Sequence, residues 1–299
     1  MRPTIDAHHH LWQLGRFPYA WLDPDSPPRP FGDHDALKRD YLLADYLADV
    51  EGMNIVGSVF VEANAGAKGT AEIEWVDEIA REAGLPTVAV GSLDLRGPDV
   101  RRELSTLLRP ARMRGVRMSL CWHERSQWRF VDRPDVMLTQ EFRSGLAELT
   151  RLGLVFDVLV VPQQLAQLAD LARTNPDQSI VLEHMGTPWF ETAADRALWK
   201  DGMKACARHA NISVKISGLW TLDRRWRPEI IGVPVRFVID LFGPERCMWG
   251  SNLPVEKLMC PVADQIASLE QVMSGLNENE MDMIFRQTAE RVYNMNLRN

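Results

Sequence analysis

The sequence has no long hydrophobic run. No stretch approaches about 18 uninterrupted apolar residues, and the N-terminus lacks a basic region followed by an apolar core and a small-residue cleavage site. These absences argue against a transmembrane helix and a secretory leader. We therefore expect a cytoplasmic protein with no membrane partner.

Cysteine is scarce and badly spaced for cross-linking. The four cysteines are Cys121, Cys206, Cys247 and Cys260, and no pair has C-x-x-C spacing. Such spacing fits reduced, mostly buried thiols better than a disulfide framework or a zinc ribbon. The sequence thus predicts a fold held together by its core.

Positive charge is also in short supply. The chain has 34 Lys and Arg against 41 Asp and Glu, a net charge of −7, and no basic block of five or more residues. This balance argues against a nucleic-acid partner. The 45% hydrophobic fraction is enough for a sizeable buried core. We expect a monomer or homodimer that acts on a small molecule.

Short runs rich in apolar and β-branched residues alternate with segments of helical periodicity. The eight predicted strands are 3–8, 55–62, 86–94, 113–120, 153–160, 179–186, 211–219 and 246–252. The predicted helices are 42–53, 70–84, 99–108, 141–153, 162–176, 195–210, 229–243, and two terminal segments at 256–274 and 278–294. This alternation is typical of repeated strand–helix units around a parallel sheet.

The pattern predicts an α/β fold, a (β/α)8 TIM barrel forming one domain over residues 1–299. The barrel core would cover about 3–258 and the C-terminal helices 256–294. The alternative is an open doubly wound sheet, which usually has a Gly-rich phosphate turn after its first strand; histidines take that place here. The Pro-rich segment 21–32 is too long for a tight turn and should form an irregular loop over the barrel mouth.

Three consecutive histidines end the first predicted strand, in IDAHHHLW at 5–12. Barrel chemistry lies at the carboxyl ends of the strands, and strand residues two apart point the same way. His8 and His10 therefore share a face, while His9 points away. Two such imidazoles can bind one ion at ~2.0–2.1 Å. His184, at the end of the sixth run, would complete a three-nitrogen set.

The fourth strand supplies candidates for substrate binding. Arg117 lies in the strand, and Trp122 and His123 follow it. A guanidinium offers a fork of donors that suits a carboxylate. We expect these three residues to contact an anionic substrate.

Other polar residues near strand ends have less clear roles. Glu183 neighbours His184, so strand alternation predicts that it points towards the helices. Lys215 and Ser217 share a face of the seventh strand, and Lys215 is expected to form an ion pair within the barrel. His34 and His209 fall in a loop and at a helix end, so we expect both at the surface.

Five motifs occur in order along the chain: D-x-H-x-H-x-W at 6–12, V-x-V-E-A at 59–63, G-V-R at 115–117, E-H-M-G-x-P at 183–188 and G-S-N-x-P-V at 250–255. This ordered set resembles the amidohydrolase superfamily, in the branch called amidohydrolase 2 or TIM-barrel metal-dependent hydrolases. That branch includes L-fuconolactonase, 4-sulfomuconolactonase and 2-pyrone-4,6-dicarboxylate lactonase, and more distantly non-oxidative decarboxylases.

The resemblance implies that His8, His10 and His184 are metal ligands for a divalent ion such as zinc or manganese. It also implies that Asn252 stands where the superfamily usually has an aspartate, which binds metal and takes a proton from the attacking water. An asparagine amide cannot accept a proton at neutral pH. The usual base is therefore missing.

Three accounts of Asn252 remain open. In the first, the metal is retained weakly and the proton goes to Glu62 or a histidine. In the second, the protein works without metal. In the third, it is no longer a hydrolase and only binds a ligand. We favour a lactone-opening hydrolase in which His184, Asn252 and Glu62 are catalytic, with Asn252 orienting water or donating to the oxyanion. The alternatives are a non-oxidative decarboxylase, for which the strand-eight aspartate is absent, and an inactive metabolite-binding barrel.

Overall fold

The structure is a computed structural model that describes residues 2–225, 227–295 and 297. Eight parallel strands form one sheet in chain order. They are β1 Thr4–His9, β2 Ile55–Val61, β3 Val88–Ser92, β4 Met113–Ser119, β5 Val155–Leu159, β6 Ile180–Leu182, β7 Ile212–Ile216 and β8 Cys247–Trp249. All eight predicted strands are confirmed.

The sheet curves round until the segment after β8 meets β1. The Asn252 backbone N–H donates to the His8 carbonyl at 2.7 Å, and the His10 N–H donates to the Leu253 carbonyl at 2.8 Å. These bonds close the sheet into a barrel with helices around it, so the predicted (β/α)8 architecture is confirmed. They also place the first and eighth strand ends side by side.

Helices follow the strands and cover the outside of the barrel. They are α1 Leu43–Asp49, α2 Gly69–Ala83, α3 Val100–Leu107, α4 Gln140–Leu152, α5 Leu165–Thr174, α6 Ala193–Ala207, α7 Leu219–Leu222, α8 Pro228–Phe242, α9 Val262–Val272, α10 Glu278–Asp282 and α11 Thr288–Val292. A π-helical turn at Met283–Gln287 joins the last two. The sequence does not predict α7, a single turn after β7.

Local sequence signals explain where some helices begin and end. The Thr139 hydroxyl accepts from the Phe142 N–H at the start of α4, and Gly153 ends that helix with φ of 66°. Thr192 and Asp195 form a reciprocal capping box at the start of α6. Such caps satisfy backbone groups that the helix itself leaves unpaired.

The core has an inner and an outer part. Apolar strand residues such as Ile5, Val90 and Met248 fill the inside of the barrel, together with Tyr293 from the end of the chain. A larger cluster packs the helices onto the sheet. All four cysteines are free and buried, as predicted. Within the described residues, no helix combines the length and hydrophobicity that crossing a membrane requires.

A glycine-to-alanine pair tests how closely the helical layer packs. Gly145 lies in α4, where an added Cβ would overlap the Leu95 carbonyl oxygen, while a Cβ on Gly69 at the start of α2 meets nothing within 4 Å. Backbone cannot move away cheaply, so Gly145→Ala should lower the free energy of unfolding by about 2 kcal/mol despite its better helix propensity. Gly69→Ala should not destabilise. Equal effects in denaturant titrations would contradict this packing.

Candidate active site

A cavity of about 580 Å3 opens at the carboxyl ends of the barrel strands. Several predicted site residues line it together: His10, Glu62, Arg117, His184 and Asn252. They lie at the ends of five different strands and are far apart in the chain: His10 and Asn252 are separated by 242 positions. Convergence of polar groups on one concave surface is typical of a ligand site.

The Pro-rich segment lies over this cavity, as predicted. Trp21, Pro27 and Arg29 line its outer part. The Trp21 indole N–H donates to the Ala63 carbonyl at 2.8 Å, which ties the segment to the end of β2. The prediction that His34 is at the surface is wrong. Its side chain is buried and Nε2 lies 2.7 Å from the Trp21 carbonyl oxygen, because the loop folds back on itself.

The histidines of β1 divide between two faces as predicted. His8 and His10 face each other with their Nε2 atoms 3.3 Å apart, and the ring centres of His8 and His184 are 4.7 Å apart. His9 points the other way, stacked on Tyr46 with ring centres 4.2 Å apart. The three predicted ligand histidines thus form one cluster, in which His10 and His184 line the cavity and His8 is buried next to them.

Hydrogen bonds orient two of these rings. His10 Nδ1 lies 2.7 Å from the Val61 carbonyl oxygen, which only accepts, so Nδ1 carries the proton and Nε2 keeps a lone pair. His184 Nδ1 lies 2.8 Å from the Ser217 hydroxyl. A Cβ at Gly218 would lie 2.6 Å from the His184 ring, so the glycine makes room for it.

The cluster is electrically neutral at ordinary pH. Burial lowers the pKa of His8, His10 and His184 well below the usual value. The positive charges of Lys215, acting most on His8, and of Arg117, acting on the other two, lower it further. Neutral imidazole is the form that can bind a metal or accept a proton.

The prediction that Glu183 points towards the helices is wrong. Its side chain is fully buried inside the barrel, with Oε1 3.4 Å from His8 Nδ1 and Oε2 accepting from Arg117 Nε at 3.0 Å. Strand β6 ends at Leu182, and His184 has a left-handed φ of 50°. Val181 also faces the inside of the barrel, so alternation turns Glu183 inwards, and the left-handed backbone then brings His184 into the site as well.

The donor set around His8 suits a divalent cation. His8, Glu183 and His184 each offer a ligand atom, and these atoms lie within 4.8 Å of one another. Glu183 Oε1 is buried without a hydrogen-bond partner in the described structure, so it retains an acceptor for a cation. Nitrogen and carboxylate ligands of this kind are typical of zinc sites. The residues present therefore fit such an ion.

His8 has two possible partners at Nδ1, and they demand opposite tautomers. The Lys215 ammonium, 3.3 Å away, can only donate, which puts the His8 proton on Nε2. Glu183 Oε1, 3.4 Å away, can only accept, which leaves the Nε2 lone pair free. Which His8 nitrogen keeps its lone pair therefore depends on whether Lys215 or Glu183 is its partner.

Lys215 forms the expected ion pair inside the barrel. It is fully buried and donates to Asp157 Oδ2 at 2.5 Å, with Glu183 Oε1 3.9 Å away. The Tyr293 hydroxyl donates to the same Asp157 oxygen at 2.7 Å. These contacts join the end of the chain to the charged layer beneath the histidines.

Glu62, just after β2, is a candidate for the general base. It is 2% exposed and lines the cavity, where its carboxylate accepts from the Asn64 N–H at 2.6 Å and Arg117 Nη1 at 3.3 Å. Burial raises its pKa, and the Arg117 charge only partly opposes this. Next to it, burial and the Glu62 charge raise the pKa of Glu72 to about 8. A raised carboxyl pKa suits proton transfer near neutral pH.

Asn252 is held by a residue that the sequence reasoning missed. Its amide Nδ2 donates to Glu256 Oε2 at 3.1 Å. Glu256 is fully buried and also accepts from the Trp220 and Thr221 N–H groups of α7 and from the Thr221 hydroxyl. The four-residue spacing between Asn252 and Glu256, one helical turn, is the signal that would have paired them. An aspartate at position 252 would place its carboxylate next to that of Glu256, and the two negative charges would repel each other.

Trp122 and His123 lie outside the lining of this cavity. The Trp122 N–H donates to Gln164 at 3.1 Å, and His123 Nδ1 accepts from the Arg125 N–H at 3.1 Å. Strand β4 ends at Ser119, so the chain has already turned away from the barrel axis. The aromatic wall is formed by Trp21, Phe31, Trp128 and Phe130 instead.

Known proteins resemble this chain over its whole barrel. The family model described as Amidohydrolase matches residues 5–295. The chain is 33% identical over 290 residues to the uncharacterized protein y4mH of Sinorhizobium fredii, covering 97% of each. It is 30% identical over 256 residues to L-fucono-1,5-lactonase of Burkholderia ambifaria, covering 85% of this chain and 81% of that protein.

A solved structure with the same fold contains zinc. It is an amidohydrolase from Burkholderia multivorans with bound zinc, with a TM-score of 0.82, 26% identity, and 98% and 99% of the two chains covered. The matched regions include all five strand-end motifs of this chain. The family match and the shared fold therefore cover the whole barrel.

Replacing Asn252 by Asp tests the contact with Glu256. Burial raises the pKa of Glu256 from 4.5 to about 7, so the stability that its protonated form contributes is present below pH 4.5 and lost as pH rises through 7. A second carboxylate raises this pKa further. Asn252→Asp should therefore lower the free energy of unfolding by about 2 kcal/mol at pH 8, and by less at pH 5.

The double variant Asn252→Asp, Glu256→Gln is the control, because it restores one neutral amide and one carboxylate. It should regain most of the stability at pH 8 in a double-mutant cycle. A single variant as stable as the wild type at pH 8 would mean that the two side chains do not interact.

Proposed function

The chain belongs to the amidohydrolase family, and from that premise we propose that this hydrolase opens a lactone by attack of water on the ring carbonyl. The observation that carries the proposal is the buried cluster of neutral His8, His10 and His184, of which His10 and His184 line the cavity together with Glu62. The L-fucono-1,5-lactonase name of one relative supports this reaction class.

Different residues near the cavity would bind the water and accept its proton. Water would be held by the His10 Nε2 lone pair and by His184, while Glu62 takes its proton. The water oxygen bonds to the carbonyl carbon, the ring C–O bond breaks, and the ring oxygen takes back a proton to give a hydroxy acid. Glu62 can carry that proton because burial raises its pKa.

Asn252 would act as an orienting group. Its Nδ2 is bound to Glu256, so its amide plane is set before substrate arrives. A preset dipole costs no reorganisation during the reaction, whether it orients the water or stabilises the oxyanion. This leaves proton transfer to Glu62 or to a histidine.

A divalent ion fits beside these groups. His8, His184 and Glu183 would hold zinc or manganese. When bound, such an ion would polarise a carbonyl group and lower the pKa of water. Lactones are activated esters, so they need less of this help than amides do.

The cavity suits a small cyclic substrate. Its volume of about 580 Å3 lies in the range of small-molecule sites. Trp21, Trp128 and Phe130 give it apolar walls above the polar floor. We propose the lactone of a sugar acid or of a ring-cleavage product from aromatic catabolism.

His184→Ala tests the catalytic cluster in a pH-indicator screen of lactones. Turnover should fall at least about 100-fold, because the variant loses a group that holds the water or its proton. His209→Ala is the matched control: the same substitution in a half-buried histidine just after α6 should leave turnover unchanged. Activity retained by His184→Ala, or a wild type inert towards every lactone, would contradict the proposal.

Metal content tests the ligand set separately. Protein purified without an affinity tag and supplied with zinc should hold one equivalent by plasma mass spectrometry, His184→Ala should hold much less, and a chelator should slow wild-type hydrolysis. His209→Ala should match the wild type. Metal-free protein with undiminished turnover would instead mean that the histidines act as hydrogen-bond donors and proton carriers.

A further inference from the structure

Arg29 is a cation in the Pro-rich loop that covers the cavity. It is half-buried and lines the cavity wall. Its guanidinium carbon lies 5.9 Å from the centre of the Trp21 ring and 5.2 Å from the centre of the Phe130 ring. The two aromatic rings hold the charge at the edge of the space where a substrate would sit.

The other arginines of the cavity already have carboxylate partners. Arg117 pairs with Glu62 at 3.3 Å and Glu183 at 3.0 Å. Arg96 pairs with Asp94 at 2.8 Å and with Asp132 at 2.6 Å. Both guanidinium groups are therefore largely neutralised within the protein.

Arg29 differs from both. Within the described part of the chain, its side chain forms no ion pair and no hydrogen bond, and only its backbone is bonded, to Gly32. Burial and then the positive charge of Arg117 lower its pKa, so the charged groups acting on it are repulsive. A partly desolvated cation with no anion is unfavourable, and its donors remain available.

We propose that Arg29 binds a carboxylate of the substrate, so that the substrate is a lactone carrying a free carboxylate. This inference rests on the proposed lactonase function and specifies its substrate class. The planar guanidinium binds a carboxylate through two parallel hydrogen bonds, and the surrounding rings exclude water and strengthen them. The substrate carboxylate takes the place of the missing protein anion.

This assignment moves the anchoring role away from Arg117. That guanidinium, held between Glu62 and Glu183, orients the carboxylates of the catalytic floor. Arg29 lies in the loop above, close enough to Arg117 for the two charges to interact. A lactone whose ring carbonyl faces Glu62 and His184 thus has its carboxylate directed towards the loop.

The test compares a carboxylated δ-lactone with its uncharged carboxamide. Wild-type protein should prefer the carboxylate at least about 10-fold in kcat/KM, the size of one charge-assisted hydrogen bond. Arg29→Gln should raise KM for the carboxylate by about 10- to 100-fold, with kcat and carboxamide hydrolysis little changed. Arg29→Lys should recover part of the loss. Arg102→Gln, on the outer surface of α3, removes the same charge and should change neither substrate.

Binding without turnover separates this inference from the reaction itself. Calorimetry can measure the dissociation constant of the carboxylated lactone for the His184→Ala variant. Adding Arg29→Gln to this variant should raise that dissociation constant about 10-fold or more. This result would support Arg29 as the anchor even if no lactone were hydrolysed. Equal losses for carboxylate and carboxamide, or unchanged carboxylate affinity in Arg29→Gln, would overturn the inference.

Discussion

A row of buried charges with alternating sign runs across the upper barrel, and the site depends on it. Glu62, Arg117, Glu183, Lys215 and Asp157 are each paired with the next along the row. Each charge alone would be very costly away from water, so every member requires its neighbours. Three negative and two positive groups leave the row one negative charge in excess when all are ionised. The row meets the neutral imidazoles where Glu183 lies 3.4 Å from His8, and its excess negative charge favours a cation or a transferable proton there.

The same constraint explains the amide at Asn252. Glu256 is already a buried carboxylate whose donors come from α7 and from Asn252 itself. An aspartate at this position would add a negative charge next to it with no new cation. The amide keeps the hydrogen bond and avoids the repulsion. In the proposed reaction, another group would accept the proton.

The barrel and the loop above it contribute different properties. Backbone hydrogen bonds between strands hold the floor residues rigidly, which suits groups that must meet a reacting carbonyl in a defined geometry. The segment 21–32 is tied to the barrel mainly through Trp21 and carries Arg29 into the cavity wall. In the proposed function, the strands would supply the chemistry and the loop the choice of substrate, as is common in this architecture.

The amino-acid pattern alone predicted the eight strands and the barrel, because apolar periodicity is a local property. Strand-end position also predicted which polar residues converge: His8, His10, Glu62, Arg117, His184 and Asn252. Which charges form pairs depends on how the chain folds in three dimensions, and the pattern did not predict it. Glu183 faces inwards with Val181, and the left-handed backbone that follows turns His184 to the same side. His34 is buried because the loop folds back on Trp21, and Trp122 and His123 lie outside the cavity because β4 ends at Ser119. The free guanidinium of Arg29 and the hydrogen bonds between Glu256 and Thr221 depend on how distant segments pack, which no local pattern encodes.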